Sequence, residues 1–187
     1  MAVAFTTVTT DDEILQILEL QRQNSPQNIT NETLVSQGFV TVQHTPDLLR
    51  SMNQALPQII AKDQDRVVGY ALVMPQSFQD LIPVLKPMFV MLDSLSWKSK
   101  AIPTYSYYVM GQICVAESHR GQGIFDGLYA KHKEVLSSSF ELCITEIAVR
   151  NTRSMRAHER VGFELLHNFQ DATDDWNLVV WDWRERV

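Results

Sequence analysis

Cysteine is scarce in this chain: 187 residues hold two, Cys114 and Cys143, with no CxxC pair. That excludes a disulfide framework and a zinc site, and since both lie in apolar, strand-like runs they read as reduced core residues. Glycine and proline are sparse too, seven of each. With 45% hydrophobic and 20% charged residues, this composition excludes low-complexity and disordered classes. Positive charge is in deficit, 16 Lys and Arg against 22 Asp and Glu for a net charge of -6, with no basic stripe. A phosphate backbone would find too few cations, so no nucleic-acid partner is expected. The longest apolar run, 81–92, is broken by Pro83, Lys86 and Pro87 and falls short of the roughly 20 residues of a membrane helix, so no membrane partner is expected either. The opening MAVAFTTVTTDDE has no basic region and no sustained apolar core, which argues against a secretory signal and for a cytoplasmic protein. The five histidines, at 44, 119, 132, 158 and 167, have no metal-ligand spacing, so no metal is expected.

What is present is the alternation of a mixed α/β domain. Thr10 with Glu13 forms a capping box ahead of the apolar face Ile14, Leu15, Ile17, Leu18, predicting a helix over 11–23 after a strand at 5–8. A helix is predicted at about 46–54, then a hairpin of 58–62 and 66–74 around Asp63-Gln64-Asp65. The stretch 76–103 carries Pro83, Pro87 and Pro103 and is expected to hold one interrupted helix and a loop. Next come a strand at 107–115, a Gly-bearing turn, a helix at about 122–136 and a strand at 142–149. Strand, helix and strand in that order imply parallel neighbours joined by a crossover. A short helix follows Asn151 and stops at Gly162, and 163–169 with 176–183 closes the chain as a hairpin.

Two segments carry chemistry. Arg120-Gly121-Gln122-Gly123-Ile124 lies between a strand end and a helix start, where backbone amides are unpaired and glycine permits close approach of a phosphate. An ordinary Gly-rich turn reads the same way, and the segment is neither a Walker A loop nor GxGxxG. Asn151, Met155 and His158 share one helical face: a cap and a packed histidine, or two groups aimed at one site.

In this order and spacing the two segments resemble the GCN5-related N-acetyltransferase superfamily, in which Arg-x-x-Gly-x-Gly/Ala cradles the pyrophosphate of acetyl-CoA. The motif here is Arg120 to Phe125, with Phe125 where a small residue is usual. Asn151 with Gly162-Phe163 resembles the family's closing signature, whose Asn contacts the pantetheine arm. The resemblance implies a central twisted mixed sheet flanked by helices with a C-terminal hairpin, and a single domain over 1–187 with an insert at about 76–103. It implies acetyl-CoA as co-substrate, bound by Arg120, Gly121, Gln122, Gly123, Ile124 and Asn151. The backbones of Ile113 and Val115 would bond to pantetheine, in a slot opened if Gly111 marks a bulge. Glu146 and His158 match the base and acid positions of the ribosomal-protein alanine N-acetyltransferases, where the acid is a Tyr. Glu146 would take the proton of an amine whose ordinary pKa is about 10.4, and His158 would present an N–H to the departing sulfur. Otherwise Glu146 is a solvent-facing strand-end charge.

The function implied is direct transfer of an acetyl group to an amine, either a small molecule or a protein N-terminus; the rival reading is a non-catalytic acyl-CoA-binding or regulatory module. On this reading Glu146→Gln lowers turnover most at low pH, where an amine is hardest to deprotonate. The apolar residues of the insert need a partner: a wall of the acceptor pocket, or a contact in a homodimer.

Overall fold

Thr10 starts the first helix, α1 (Asp11–Gln23): its hydroxyl accepts from the Glu13 amide at 3.3 Å and the Glu13 carboxylate accepts from the Thr10 amide at 3.1 Å. Ile14, Ile17 and Leu20 then repeat at helical spacing and are buried. The computed structural model describes residues 3–25, 43–82 and 85–184; of the residues read above, Pro83 and the first two lie outside these. The chain forms two units, Met1–Val73 with Met110–Val135, and Met74–Val109 with Leu136–Val187.

In the first unit, β1 (Ala4–Thr7), β2 (Ile59–Asp63) and β3 (Arg66–Met74) pair antiparallel in that order, and the later part of β6 (Tyr107–Val115) lies beside β3. Helix α2 (Pro46–Ala55) begins at the Thr45 cap. Gly69 brings the layers close: a Cβ there would stand 3.2 Å from both the Cys114 carbonyl and Ile124 Cγ2. Ile124 opens helix α4 (Ile124–Leu136), two residues later than the sequence suggested.

The second unit includes 76–103, where the expectation of one interrupted helix and a loop needs correcting by a hairpin. A helical turn at Gln76–Phe78 and helix α3 (Lys86–Ser94) are followed by a hairpin, β4 (Ser96–Trp97) and β5 (Lys100–Ala101). Its turn residues, Lys98 and Ser99, have φ of 46° and 66°, the left-handed region where an Asn-Gly pair would have announced a turn. Tertiary bonds hold it there instead: Trp97 Nε1 and Lys98 Nζ donate to Asp182 Oδ2 at 3.0 and 2.9 Å, and the Tyr105 hydroxyl donates to the Trp97 carbonyl at 2.6 Å.

Strand β7 (Leu142–Ala148) pairs parallel with the first residues of β6 from Tyr107↔Leu142 to Val109↔Ile144, and this ladder ends before Gly111. Along its whole length β7 pairs antiparallel with β9 (Asp175–Asp182), which pairs with β8 (Glu164–Gln170). Side chains alternate across a strand, so Glu146, Ala148, Trp176 and Leu178 share one face, and Ile147, Asn177, Val179 and Trp181 the other. Helix α5 (Thr152–Val161) lies on the second face: Asn177 Nδ2 reaches Met155 Sδ at 4.0 Å, and the Phe163 ring stands between those of His158 and Trp181.

Gly162 ends α5 at φ 116°, and a Cβ there would stand 2.7 Å from Trp181 Nε1. Gly162→Ala therefore combines a left-handed backbone with a forced shift of a packed ring. A loss of about 2–4 kcal/mol in urea unfolding is expected, against a few tenths for an alanine that fits.

Both cysteines are buried and neither is in a disulfide, in keeping with reduced core residues. Among the described residues no helix is long and apolar enough to cross a membrane, and no group of three or more His, Cys, Asp or Glu could hold a metal ion.

Candidate active site

The candidate residues fall in two sets. In the first unit, a helical turn (Glu117–His119) delivers the chain into the Gly loop, where Gly121 and Gly123 adopt φ of 73° and 77°. Gly123 caps α4, its carbonyl accepting the Gly127 amide at 3.0 Å. The amides of Gly121, Gln122, Gly123 and Ile124 make no hydrogen bond to any of the described residues. None of the described residues stands within 4 Å of where a Cβ would project from either glycine. Successive amides of this kind at a helix N-terminus could offer an anion donors that need no side chain.

Arg120 anchors this loop from below. Its Nη2 donates to Asn24 Oδ1 at 2.8 Å and its Nε to the Val115 carbonyl at 3.2 Å. Val115 and Ile113 are half-buried on β6, alternating with buried Gln112 and Cys114. Beneath them lies a polar network that sequence reasoning missed. Gln112 Oε1 accepts from Gln21 Nε2 at 2.8 Å and from the Tyr70 hydroxyl at 2.7 Å, and Gln21 Nε2 also donates to His44 Nδ1 at 3.0 Å. Burial pushes His44 down to about 4, so it stays neutral as this acceptor role requires. Glutamines on a helix and a strand carry no sequence signal of pairing 91 positions apart.

In the second unit, Asn151 caps α5, its Oδ1 accepting the Ser154 amide at 3.0 Å. His158 is buried, and its Nδ1 donates to the Ser154 carbonyl at 2.8 Å. Burial pushes it down to about 4 although that hydrogen bond favours the charged form. The ring is therefore neutral at pH 7 with its proton on Nδ1, which makes Nε2 an acceptor. Glu146 is half-buried on the opposite face of β7 and β9 from α5, and its carboxyl is pushed up to about 8, first by desolvation and then by the charge of Asp171. The two residues proposed as base and acid thus stand on opposite faces of one strand pair, a separation that the sequence did not reveal.

A sequence profile described as Acetyltransferase (GNAT) family matches residues 29–163. The chain belongs to the GNAT acetyltransferase family. No curated protein matches it in sequence. Among solved structures it is similar to Arabidopsis thaliana NAA60 in complex with acetyl-CoA, at 12% identity and TM-score 0.65 over 97% of this chain and 99% of that one. Arabidopsis thaliana Naa50 with the bisubstrate analogue CoA-Ac-MVNAL matches at 15% identity and TM-score 0.65, covering 98% of this chain and 100% of that one. The ribosomal-protein-S18-alanine N-acetyltransferase of Escherichia coli matches at 10% identity and TM-score 0.61, covering 97% and 94%. At these identities the likeness establishes the fold, a mixed α/β GNAT architecture. The one departure from the GNAT loop motif is accommodated locally: the Phe125 ring packs edge-on against Tyr129, centroids 5.1 Å apart.

Proposed function

We propose that this GNAT chain is an acetyl-CoA-dependent N-acetyltransferase, one acyltransferase domain over 1–187 with an insert at 76–103, that moves an acetyl group directly to an amine. Glu146 carries this reading. Desolvation and the Asp171 charge account for its raised carboxyl, so near neutral pH it can give up and take back a proton. A carboxylate at a strand end in open solvent would stay at its ordinary value.

The loop residues suit the co-substrate. The amides of Gly121, Gln122, Gly123 and Ile124 would take its diphosphate, with Arg120 holding the loop in place. The backbones of Ile113 and Val115 and the Asn151 side-chain amide would meet its pantetheine arm. Acetyl-CoA would supply an activated acyl thioester; Glu146 removes the proton of the attacking amine, directly or through water, as the C–N bond forms, and the C–S bond breaks with its electron pair leaving on CoA, whose thiolate takes its proton from solvent. A covalent cysteine route is disfavoured, since Cys143 is fully buried and burial pushes the Cys114 thiol up to about 11. The tautomer of His158 argues against its assignment as donor to sulfur. His158→Phe is accordingly expected to keep kcat within a few-fold while lowering Tm. A loss of 100-fold or more that His158→Tyr restores would reinstate the donor.

Acetyl-CoA in excess should raise Tm, because a ligand of the native state stabilises it by about 2.7 kcal/mol at 100 times its Kd. A panel of amines (N-terminal peptides, amino acids, small amines) read by free CoA should show amine-dependent release. The neutral His158 favours one rival, a CoA-binding module without turnover, which predicts the Tm rise and no release. With neither, the loop is not a cofactor site.

A further inference from the structure

The turn between β8 and β9 is organised by one carboxylate. Asp171 donates its amide to the Asp174 carbonyl at 3.1 Å. Its Oδ1 accepts from the Thr173 amide at 2.7 Å, the Thr173 hydroxyl at 2.6 Å and the Asp174 amide at 3.0 Å. Two bonds fasten this turn to the end of β7: Arg150 Nε donates to Asp174 Oδ2 at 2.7 Å, and the Val149 amide donates to the Asp175 carbonyl at 2.8 Å. In the ladder Ala148, Trp176 and Phe169 stand in one row across three strands, and Glu146, Leu178 and His167 in the next. Asp171 follows Phe169 by two residues, so alternation sets it at the end of the face that carries Glu146.

We propose that Asp171 is a positioning residue for the base: a carboxylate fixed by its own turn, on the sheet face of Glu146, whose negative charge strengthens the hold of Glu146 on the proton taken from the acceptor. This rests on Glu146 being the base. The two carboxyls are driven apart. Against its own desolvation, the donors of Thr173 and Asp174 hold Asp171 down at about 2, a permanent anion, while its charge adds to the desolvation that raises Glu146. Other ionisable groups on this face are Glu164 and His167 on β8, Tyr107 on β6 and Asp182 on β9, with Asp93 of α3 acting on Tyr107. Asp182 is neutralised by Lys98 and Arg184 at 2.9 and 2.7 Å, and the charge that bears on Glu146 is that of Asp171.

Asp171→Asn keeps an oxygen for the turn donors and removes the charge; Asp171→Ser is a second uncharged variant should the first fail to fold. Carboxyl-carbon NMR of Glu146 in the full-length free protein is expected to show its titration midpoint lowered by about half a unit or more in the variant. The acidic limb of kcat/KM should move with it, while the Tm rise given by acetyl-CoA is unchanged. A Glu146 midpoint that does not move overturns the proposal, as does a wild-type midpoint at the ordinary carboxylate value. If the midpoint moves and the kinetic limb stays, Glu146 is not the base, and the proposal falls together with that part of the functional reading.

Discussion

Replacing Glu146 by Gln is expected to lower kcat by about 10² to 10⁴-fold, the usual contribution of a positioned general base. The Tm rise given by acetyl-CoA should survive, because Gln keeps the shape of the side chain and the residues assigned to the co-substrate are elsewhere. The pH dependence has a definite sign. Glu146 acts as a base only when ionised, and its carboxyl is pushed up to about 8. Wild-type kcat/KM should therefore climb as pH rises through about 8, while the variant lacks this limb. The loss is then greatest at and above pH 8 and shrinks on acidification, opposite to the expectation drawn from the amine alone. Parallel pH–rate profiles of the two proteins check this. A Gln variant within a few-fold of wild type across the range would remove Glu146 from the chemistry.

The second large effect is expected at the Gly loop. Gly121→Asp should weaken acetyl-CoA at least about 100-fold and abolish its Tm rise, because a carboxylate placed in the loop whose amides are assigned to the diphosphate repels that group and competes for its donors. The cost to the fold should be about 1–2 kcal/mol, since φ at this position is 73° and Asp tolerates the left-handed region better than most residues. Gly123→Pro is the companion variant: it deletes an amide donor outright, in a residue whose φ of 77° proline cannot adopt. Titration of thermal shift against acetyl-CoA distinguishes lost binding from lost stability. A normal shift in a folded Gly121→Asp protein would place the cofactor elsewhere.

The features legible beforehand were those whose cause is local. The Thr10–Glu13 box, the Asn151 cap and the Gly162 stop each depend on a few consecutive residues, and each is formed as read. The parallel pairing of β6 and β7 also followed, because two strands joined through a helix have little choice of direction. The β4–β5 hairpin was hidden because Lys98 and Ser99 adopt left-handed angles under tertiary bonds to Asp182 rather than through their own preference. Asp171 was hidden differently: in sequence an aspartate opening a turn is explained by the turn alone.

By itself, then, the sequence determined the order of elements, the position of the Gly loop and the membership of a family, since these rest on short-range spacing and turn chemistry. Only the tertiary structure decided how each candidate group is buried and charged. The same two residue types that the sequence offered as base and acid were sorted by burial: a carboxyl raised by desolvation and a neighbouring anion, and an imidazole made neutral with its proton committed to Ser154. Desolvation and long-range charge depend on which strand faces which element, and register sets that across β7, β9 and β8, through contacts between residues far apart in the chain.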